Sequence, residues 1–353
     1  MAKGIPQEAR KLSSLPTIGV GDSSEGFEAV EAFLRRFGYL PEGRRALGVL
    51  DEETSKALVK FQALHALPLS GSFDEATREM MSRSRCGLPD IDPRSGLEFS
   101  IACAWNRDTL TYAFGAGTND VTGDDERQAV RRAFATWSAA VQIAFREVGT
   151  GDSPDILIAW TQANCGDTNM TGTVLAHSDY PPGCGFYGNN LPRPFHFDDQ
   201  EHAWCIGMVA NQFDVETVAL HEIGHILGLQ HSSVVGAVMF RTTNANSTNR
   251  VLQPDDIEGI RRLYPIRGPV FVRHSGRCLD IEGISTANGA DATQWEYWGG
   301  QNQIFRIEWV EAAYYRLIAQ HSQGVDVEAI SGANGAPIIQ RDWWGGNNQQ
   351  WRS

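Results

Sequence analysis

Hydrophobic positions recur at helical spacing through residues 25–83. Phe27, Val30, Phe33 and Leu34 line one face of a segment from Gly26 to Phe37, the recurrence expected of an amphipathic helix. A second segment opens at Asp51 with Asp-Glu-Glu-Thr, an N-cap followed by first-turn acids. It continues through Leu58, Val59, Phe61 and Leu64. A short third helix is expected from Phe73 to about Ser82. Beyond it the pattern changes. Thr109–Phe114 alternates like a strand, Glu126–Val141 reads as a long helix, Ile156–Trp160 as a buried strand and Asp214 to Leu229 as a further helix. The chain therefore reads as multidomain: an α-helical N-terminal part, then mixed sheet and helix (α+β) from about Leu97 to Pro265.

The last stretch is different in kind. Residues 280–305 and 326–351 align without gaps at a shift of 46, with 14 identities in 26 positions. Asp280-Ile-Glu-Gly-Ile-Ser-Thr-Ala-Asn-Gly matches Asp326-Val-Glu-Ala-Ile-Ser-Gly-Ala-Asn-Gly, and Tyr297-Trp-Gly-Gly matches Trp343-Trp-Gly-Gly. A repeat of this period is structural evidence in itself. Six of the ten tryptophans fall here, which suits both core filling and the stacking of flat rings.

Composition narrows the partners. A chain of 353 residues has room for two or three domains. A net charge of −13 and a pI near 5.1 argue against nucleic acid and for a chain that can bind cations. No apolar run approaches a membrane span. The opening Met-Ala-Lys-Gly-Ile-Pro-Gln-Glu-Ala-Arg has no apolar h-region, so no signal peptide is visible. Setting Cys86 aside leaves Cys103, Cys165, Cys184, Cys205 and Cys278, an odd number, so at least one stays unpaired within the chain.

The chemistry is concentrated between His221 and His231, in His-Glu-Ile-Gly-His-Ile-Leu-Gly-Leu-Gln-His. His221 and His225 stand four apart on the expected helix, so both imidazoles project from one face and can hold one zinc ion. Glu222 is placed to take a proton from water activated at the metal. Gly228 lets the backbone leave the helix through a left-handed turn. His231 then returns as a third ligand and leaves the fourth position open, as catalytic zinc requires.

This extended motif resembles the metzincin clan, and its surroundings resemble the matrixins within it. Met239, eight residues after His231, matches the family's Met-turn, and Leu252–Tyr264 resembles its C-terminal helix. Ser84-Arg-Cys-Gly-Leu-Pro-Asp90 is similar to the matrixin cysteine switch, with Ser84 in place of the usual Pro. The resemblance implies that Cys86 occupies the open zinc position and holds the enzyme latent, with Arg85 paired to Asp90. A tethered thiolate is a better zinc ligand than water. Residues 25–83 resemble the peptidoglycan-binding-like fold of matrixin propeptides. Alone they can also be read as a cell-wall binding module, and their lead into Cys86 favours the propeptide. Activation is then expected to be a cut near residues 91–100.

The sequence departs from the family at several points. The structural-zinc positions correspond here to Cys165, Asp167, His177 and His196. Family resemblance makes Cys165–Cys184 the expected disulfide, which would remove one of those ligands. The calcium loop is about three residues short, while Asp198 and Glu201 remain candidate calcium ligands through hard oxygens. Thr173–His177 resembles the edge strand on which these enzymes lay a peptide substrate antiparallel. The family's Pro-x-Tyr after the Met-turn is replaced by Phe240-Arg-Thr-Thr. That segment walls the pocket for the residue after the scissile bond, so specificity does not carry over.

The repeats of 267–353 resemble ricin-type β-trefoil lectins, with Gln303 to Phe305 and Gln349 to Trp351 standing at the Gln-x-Trp ending. The resemblance implies sugar contacts from Asp280, Tyr297 and Asn302, then Asp326, Trp343 and Asn348; each can equally be a residue that stabilises the repeat. A trefoil needs three repeats and two are present. The expected domains are an N-terminal segment 1–24, a propeptide 25–96, a zinc peptidase 97–265 and a lectin-like module 267–353. The expected function is a secreted, latent zinc endopeptidase acting on protein or peptide substrates, with glycans as further partners. The alternative is a glycan- or cell-wall-binding protein with vestigial peptidase activity.

Overall fold

The computed structural model describes residues 3, 6–91, 103–186, 188–311 and 314–352. They form two compact units, one of residues 1–139 and 143–257, the other of residues 140–142 and 258–353. The expected activation cut, apart from Ile91, lies outside the described residues.

The first unit opens with four helices: α1 (Gln7–Ser14), α2 (Glu28–Arg36), α3 (Glu52–Leu64) and α4 (Glu75–Met81). Asp51 caps α3 as its sequence position suggests, accepting from the Thr54 amide at 2.9 Å, and Asp74 does the same for α4 through Thr77. Phe27, Phe33, Phe37, Phe61 and Phe73 are all fully buried and form the shared core of these helices. Helix α1 had no clear sequence signal. It holds because Leu12 and Leu15 are buried in that same cluster.

The chain then enters a six-stranded sheet built from β1 (Arg85–Cys86), β2 (Thr109–Phe114), β3 (Ala144–Glu147), β4 (Ile156–Thr161), β5 (Val174–Ser178) and β6 (Arg193–Asp198). Their order is β1-β5-β6-β4-β2-β3, with only the β5–β6 pair antiparallel. The strand expected at 173–177 is therefore not at the sheet edge. The switch segment β1 covers it, running parallel to β5.

Helix α5 (Asp125–Ala140) follows β2, and a small pair, β7 (Trp204–Cys205) with β8 (Phe213–Asp214), leads into α6 (Val215–Ile226). Every residue of α6 is buried. Two indoles fix its height. Trp137 Nε1 donates to the Leu220 carbonyl and Trp105 Nε1 to the Ile226 carbonyl, both at 2.8 Å. The chain of this unit runs on into α7 (Pro254–Leu263). Among the described residues no helix is long and apolar enough to cross a membrane.

The second unit is β-rich: β9 (Ile266–Gly268), β10 (Cys278–Ile281), β11 (Ala292–Trp295), β12 (Phe305–Glu311), β13 (Tyr314–Ala319), β14 (Gly324–Val327), β15 (Ile338–Arg341) and β16 (Trp351–Arg352). The sequence shift reappears in three dimensions. Strand β10 maps on β14 (278 to 324), β11 on β15 (292 to 338) and the start of β12 on β16 (305 to 351), each by 46. The short 3₁₀ turns 282–284 and 301–303 likewise map on 328–330 and 347–349. Ile281, Phe305, Ala319 and Val325 make the core. Two copies of the repeat are found among the described residues.

Candidate active site and metal centres

Asp214 caps α6 by accepting from the Thr217 amide at 2.9 Å, and the helix then presents His221, Glu222 and His225 on one side. Gly228 has φ +100°, so the left-handed exit expected there is found. The loop beyond it brings His231 to the other two histidines, with ring centres 5.3 Å from His221 and 4.8 Å from His225. Beneath them Met239 packs its sulfur against α6 at Gly224, where an added Cβ would lie 2.2 Å from Met239 Sδ. The turn carrying Met239 is held by Asp256, whose carboxylate accepts from the Val238 and Met239 amides at 2.9 Å each. Asp256 lies within the Leu252–Tyr264 segment read as a helix from the sequence, but its hold on this turn was not read there.

One ligand atom from each of Cys86, His221, His225 and His231 lies within 4.8 Å of the others, and all four residues are buried. The ring nitrogens far from this centre are each engaged. His221 Nδ1 lies 2.7 Å from the Val238 carbonyl, His225 Nδ1 lies 2.7 Å from the Leu229 carbonyl and His231 Nδ1 lies 3.0 Å from Asp90 Oδ1. Carbonyls accept only, so His221 and His225 carry their protons on Nδ1. Their Nε2 lone pairs then face each other at 3.0 Å with no proton between them, and His231 Nε2 is buried without a hydrogen-bond partner. Lone pairs so placed fit a cation, and three imidazoles with a thiol fit zinc. Burial holds His221 at about 3 and His231 at about 4, so both rings are neutral at pH 7, the form a metal requires. Burial, then the Glu222 charge, pushes the Cys86 thiol well up; an adjacent dication reverses that preference.

Glu222 is buried, and burial raises its carboxyl to about 7. Ser178 Oγ donates to Glu222 Oε2 at 2.8 Å, fixing the carboxylate from β5. Sequence reasoning passed over Ser178, which follows His177 in an ordinary strand pattern.

The switch segment is held by charge as well as by β1. Arg85 Nη2 meets Asp90 Oδ1 at 2.6 Å, and both side chains are fully buried. Arg241 Nε lies 3.1 Å from the same oxygen, and Tyr39 donates to Asp90 Oδ2 at 2.7 Å. The pairing of Arg85 with Asp90 matches expectation. The roles of Arg241, Tyr39 and His231 around that carboxylate were not legible, because they converge on Asp90 from two parts of the chain far from it in sequence.

The second candidate cluster also assembles: Cys165, Asp167, His177 and His196 place ligand atoms within 4.8 Å of one another. Cys165 Sγ is 3.1 Å from His177 Nε2, which is 3.2 Å from His196 Nδ1, itself 3.3 Å from Asp167 Oδ2. The expected Cys165–Cys184 disulfide is corrected. Cys184 is bonded to Cys103, and Cys165 is a free thiol facing the histidines. The physical reason is that Cys165 points into the ligand cluster, while Cys103 meets Cys184 at a Cα separation of 5.9 Å, well inside disulfide range. Asp198 is buried, with Oδ1 accepting from the Gln200 and Glu201 amides, while Oδ2 lies 3.9 Å from His202 Nε2 and has no hydrogen-bond partner among the described residues. Burial raises it to about 6. Glu201 accepts from the Gly172 amide at 2.6 Å.

In the second unit the predicted polar residues lie inside the repeats. Asp280 accepts from Gln303 at 2.8 Å, Asn302 donates to the Ile281 carbonyl at 3.0 Å, and Asn348 donates to Asp326 at 2.8 Å. Asn302 Oδ1, Asn348 Oδ1 and Asp326 Oδ2 are buried without partners. Tyr297 is half-exposed, whereas the Arg316 guanidinium sits 4.8 Å over the Trp343 ring. Trp298 and Trp344, which sequence reasoning did not single out, are the exposed indoles at matching positions.

Comparison with known proteins agrees with this geometry. The Matrixin family model matches residues 104–265, a model for a ricin-type beta-trefoil lectin domain-like fold matches 269–341, and one for a peptidoglycan binding domain matches 23–81. The chain is 32% identical over 275 residues to Metalloendoproteinase 1-MMP of Arabidopsis thaliana, covering 72% of each. It is 36% identical over 252 residues to the hatching enzyme of Paracentrotus lividus, covering 70% of this chain and 40% of that one. To Matrix metalloproteinase-15 of Homo sapiens it is 32% identical over 276 residues, covering 72% of this chain and 40% of that one. Among solved structures, a designed 3-fold symmetric protein, ThreeFoil, is 45% identical over 24% of this chain and 62% of its own, with a TM-score of 0.24.

Proposed function

The chain belongs to the matrixin family of zinc metalloendopeptidases, and from that premise we propose that it is the latent form of a secreted endopeptidase with a glycan-binding module. The observation that carries this reading is the convergence of Cys86 with His221, His225 and His231. These residues would hold zinc in the latent form, and the three histidines alone in the active one. Bound zinc supplies Lewis acidity toward water and the scissile carbonyl. Glu222 takes the proton of the attacking water and returns it to the leaving amine. Ser178 keeps the carboxylate aimed while the proton moves.

Strand β5 offers its outer edge to substrate once β1 departs. The switch runs parallel to β5, so a peptide bound antiparallel presents the opposite backbone polarity to Glu222. Activation in this reading is a cut between the propeptide and the peptidase, with loss of Cys86 from the metal site. Cys165, Asp167, His177 and His196 would hold a second, structural zinc, and Asp198 with Glu201 a calcium ion. Half-exposed Tyr297 and the exposed indoles of Trp298 and Trp344, at matching positions of the two repeats, support a sugar-binding role. The Cys103–Cys184 disulfide supports export, since such bonds persist in oxidising compartments.

The test is peptidase activity and zinc content before and after a thiol-modifying mercurial. Latency released by the mercurial, with one or two zinc ions per chain, is the expected result. Glu222→Ala should abolish hydrolysis yet retain the metal; hydrolysis surviving in that variant would sink the mechanism.

A further inference from the structure

Arg241 follows Met239 by two residues, in the Phe240-Arg-Thr-Thr segment, and its surroundings assign it a task. Its side chain is completely buried. Nε lies 3.1 Å from Asp90 Oδ1, Nη1 donates to the Leu64 carbonyl, and Nη2 has no hydrogen-bond partner among the described residues. Both partners belong to the segment that activation removes. Loss of that segment leaves a guanidinium without these partners, which is unfavourable for a charge that stays buried.

The geometry also says what will approach it. The switch lies between β5 and the segment 240–243, with Cys86 N donating to the Arg241 carbonyl at 3.2 Å and Thr243 N to the Ser84 carbonyl at 3.1 Å. Below opens a cavity lined by Val218, His221, Glu222, Phe240, Arg241 and Asn249. The residues before Cys86 thus lie against 242–243. A substrate runs the other way along β5, so its residues after the scissile bond take that place.

We propose that Arg241 is a specificity-determining residue: in the activated enzyme it pairs with an Asp or Glu side chain in the first or second residue after the scissile bond. The incoming carboxylate replaces Asp90, whose Oδ1 already marks an anion position 3.0 Å from His231 Nδ1 and 3.1 Å from Arg241 Nε. A planar guanidinium suits a carboxylate because it donates two parallel bonds. The inference rests on the peptidase reading.

The experiment gives the full chain, opened by a mercurial, a pool of peptides that differ only in Glu or Gln at the two positions after each candidate bond. Products are read by mass spectrometry. The Glu peptides should be cut about ten-fold more efficiently, the effect of one charge-assisted hydrogen bond in a sheltered site. Arg241→Gln should bring the Glu:Gln ratio close to one, and Arg241→Lys should restore part of it. Equal cleavage by the unsubstituted chain, or an unchanged ratio in Arg241→Gln, overturns the proposal. If no peptide is cut, the peptidase reading has failed, and the same peptides are compared as ligands by fluorescence anisotropy. Ten-fold tighter binding of the Glu form, lost in Arg241→Gln, then supports the anion site, and equal binding overturns it.

Discussion

Replacing Asp90 by asparagine keeps the shape of the switch and removes its charge. The carboxylate touches Arg85 at 2.6 Å, His231 at 3.0 Å, Arg241 at 3.1 Å and Tyr39 at 2.7 Å, with no exposed surface on the two arginines beyond 1%. Opposed by its own burial, the carboxylate is nevertheless held well below its ordinary pKa by the two guanidiniums, so the charged form is the one that docks. An asparagine would leave both arginines buried without an anion, a loss of about 3–5 kcal/mol for the closed state. The open state bears little of that cost, because Arg85 and Arg241 can then reach water. At about 1.4 kcal/mol per decade, the open population should rise roughly 100- to 4000-fold. The assay is alkylation of Cys86, followed by mass spectrometry to separate it from the free thiols of Cys165, Cys205 and Cys278. Tyr39→Phe, which deletes one hydrogen bond, should raise labelling only about three- to ten-fold. Labelling of Asp90→Asn within three-fold of the unsubstituted chain would refute the charge clamp.

Three further outcomes follow from other contacts. His65 is buried with both ring nitrogens unpartnered, and burial lowers it to about 2. Its neutral form contributes stability in full above pH 6.5, where the unfolded side chain is neutral too. That contribution drains as pH falls from 6.5 toward 2, by at most about 1.4 kcal/mol per pH unit; urea midpoints at pH 7 and pH 5 should show it, and His65→Phe should flatten the slope. Gly224→Ala would set a methyl 2.2 Å from Met239 Sδ and 3.1 Å from the Trp137 ring, so it should cost about 1–3 kcal/mol and lower the Tm, although alanine is the better helix former. Ala329 has φ +56° where the first repeat has Gly283 at +67°, so Ala329→Gly should stabilise the second unit by about 1 kcal/mol; an unchanged urea midpoint would contradict this.

The helices of residues 25–83 were legible because their apolar spacing and the Asp51 cap are local properties. The cluster of His221, His225 and His231 was legible for the same reason: α6 and the Gly228 exit set its geometry within eleven residues. Helix α1 was missed because its two buried residues, Ala9 and Leu12, make too short a stripe to read. The disulfide was misassigned because Cys103 reaches Cys184 across 81 residues, a distance that only the folded sheet closes. Asp256, Ser178 and Arg241 act through contacts to residues elsewhere in the chain, and one residue type at one position carries no pattern. The two lectin-like repeats were the reverse case. Their identity at a shift of 46 was visible first, and the strands followed it position by position.

The Cys103–Cys184 bond has a consequence for whatever end a protease creates upstream. A cut before Leu97 would leave six residues, 97–102, ahead of Cys103. At roughly 3.4 Å per residue, six residues span at most about 20 Å. The scar of activation would thus be leashed to the loop between β5 and β6, beside the strand proposed to receive substrate. A reductant would lengthen that leash without touching His221, His225 or His231, separating the fate of the new terminus from that of the proposed catalytic centre.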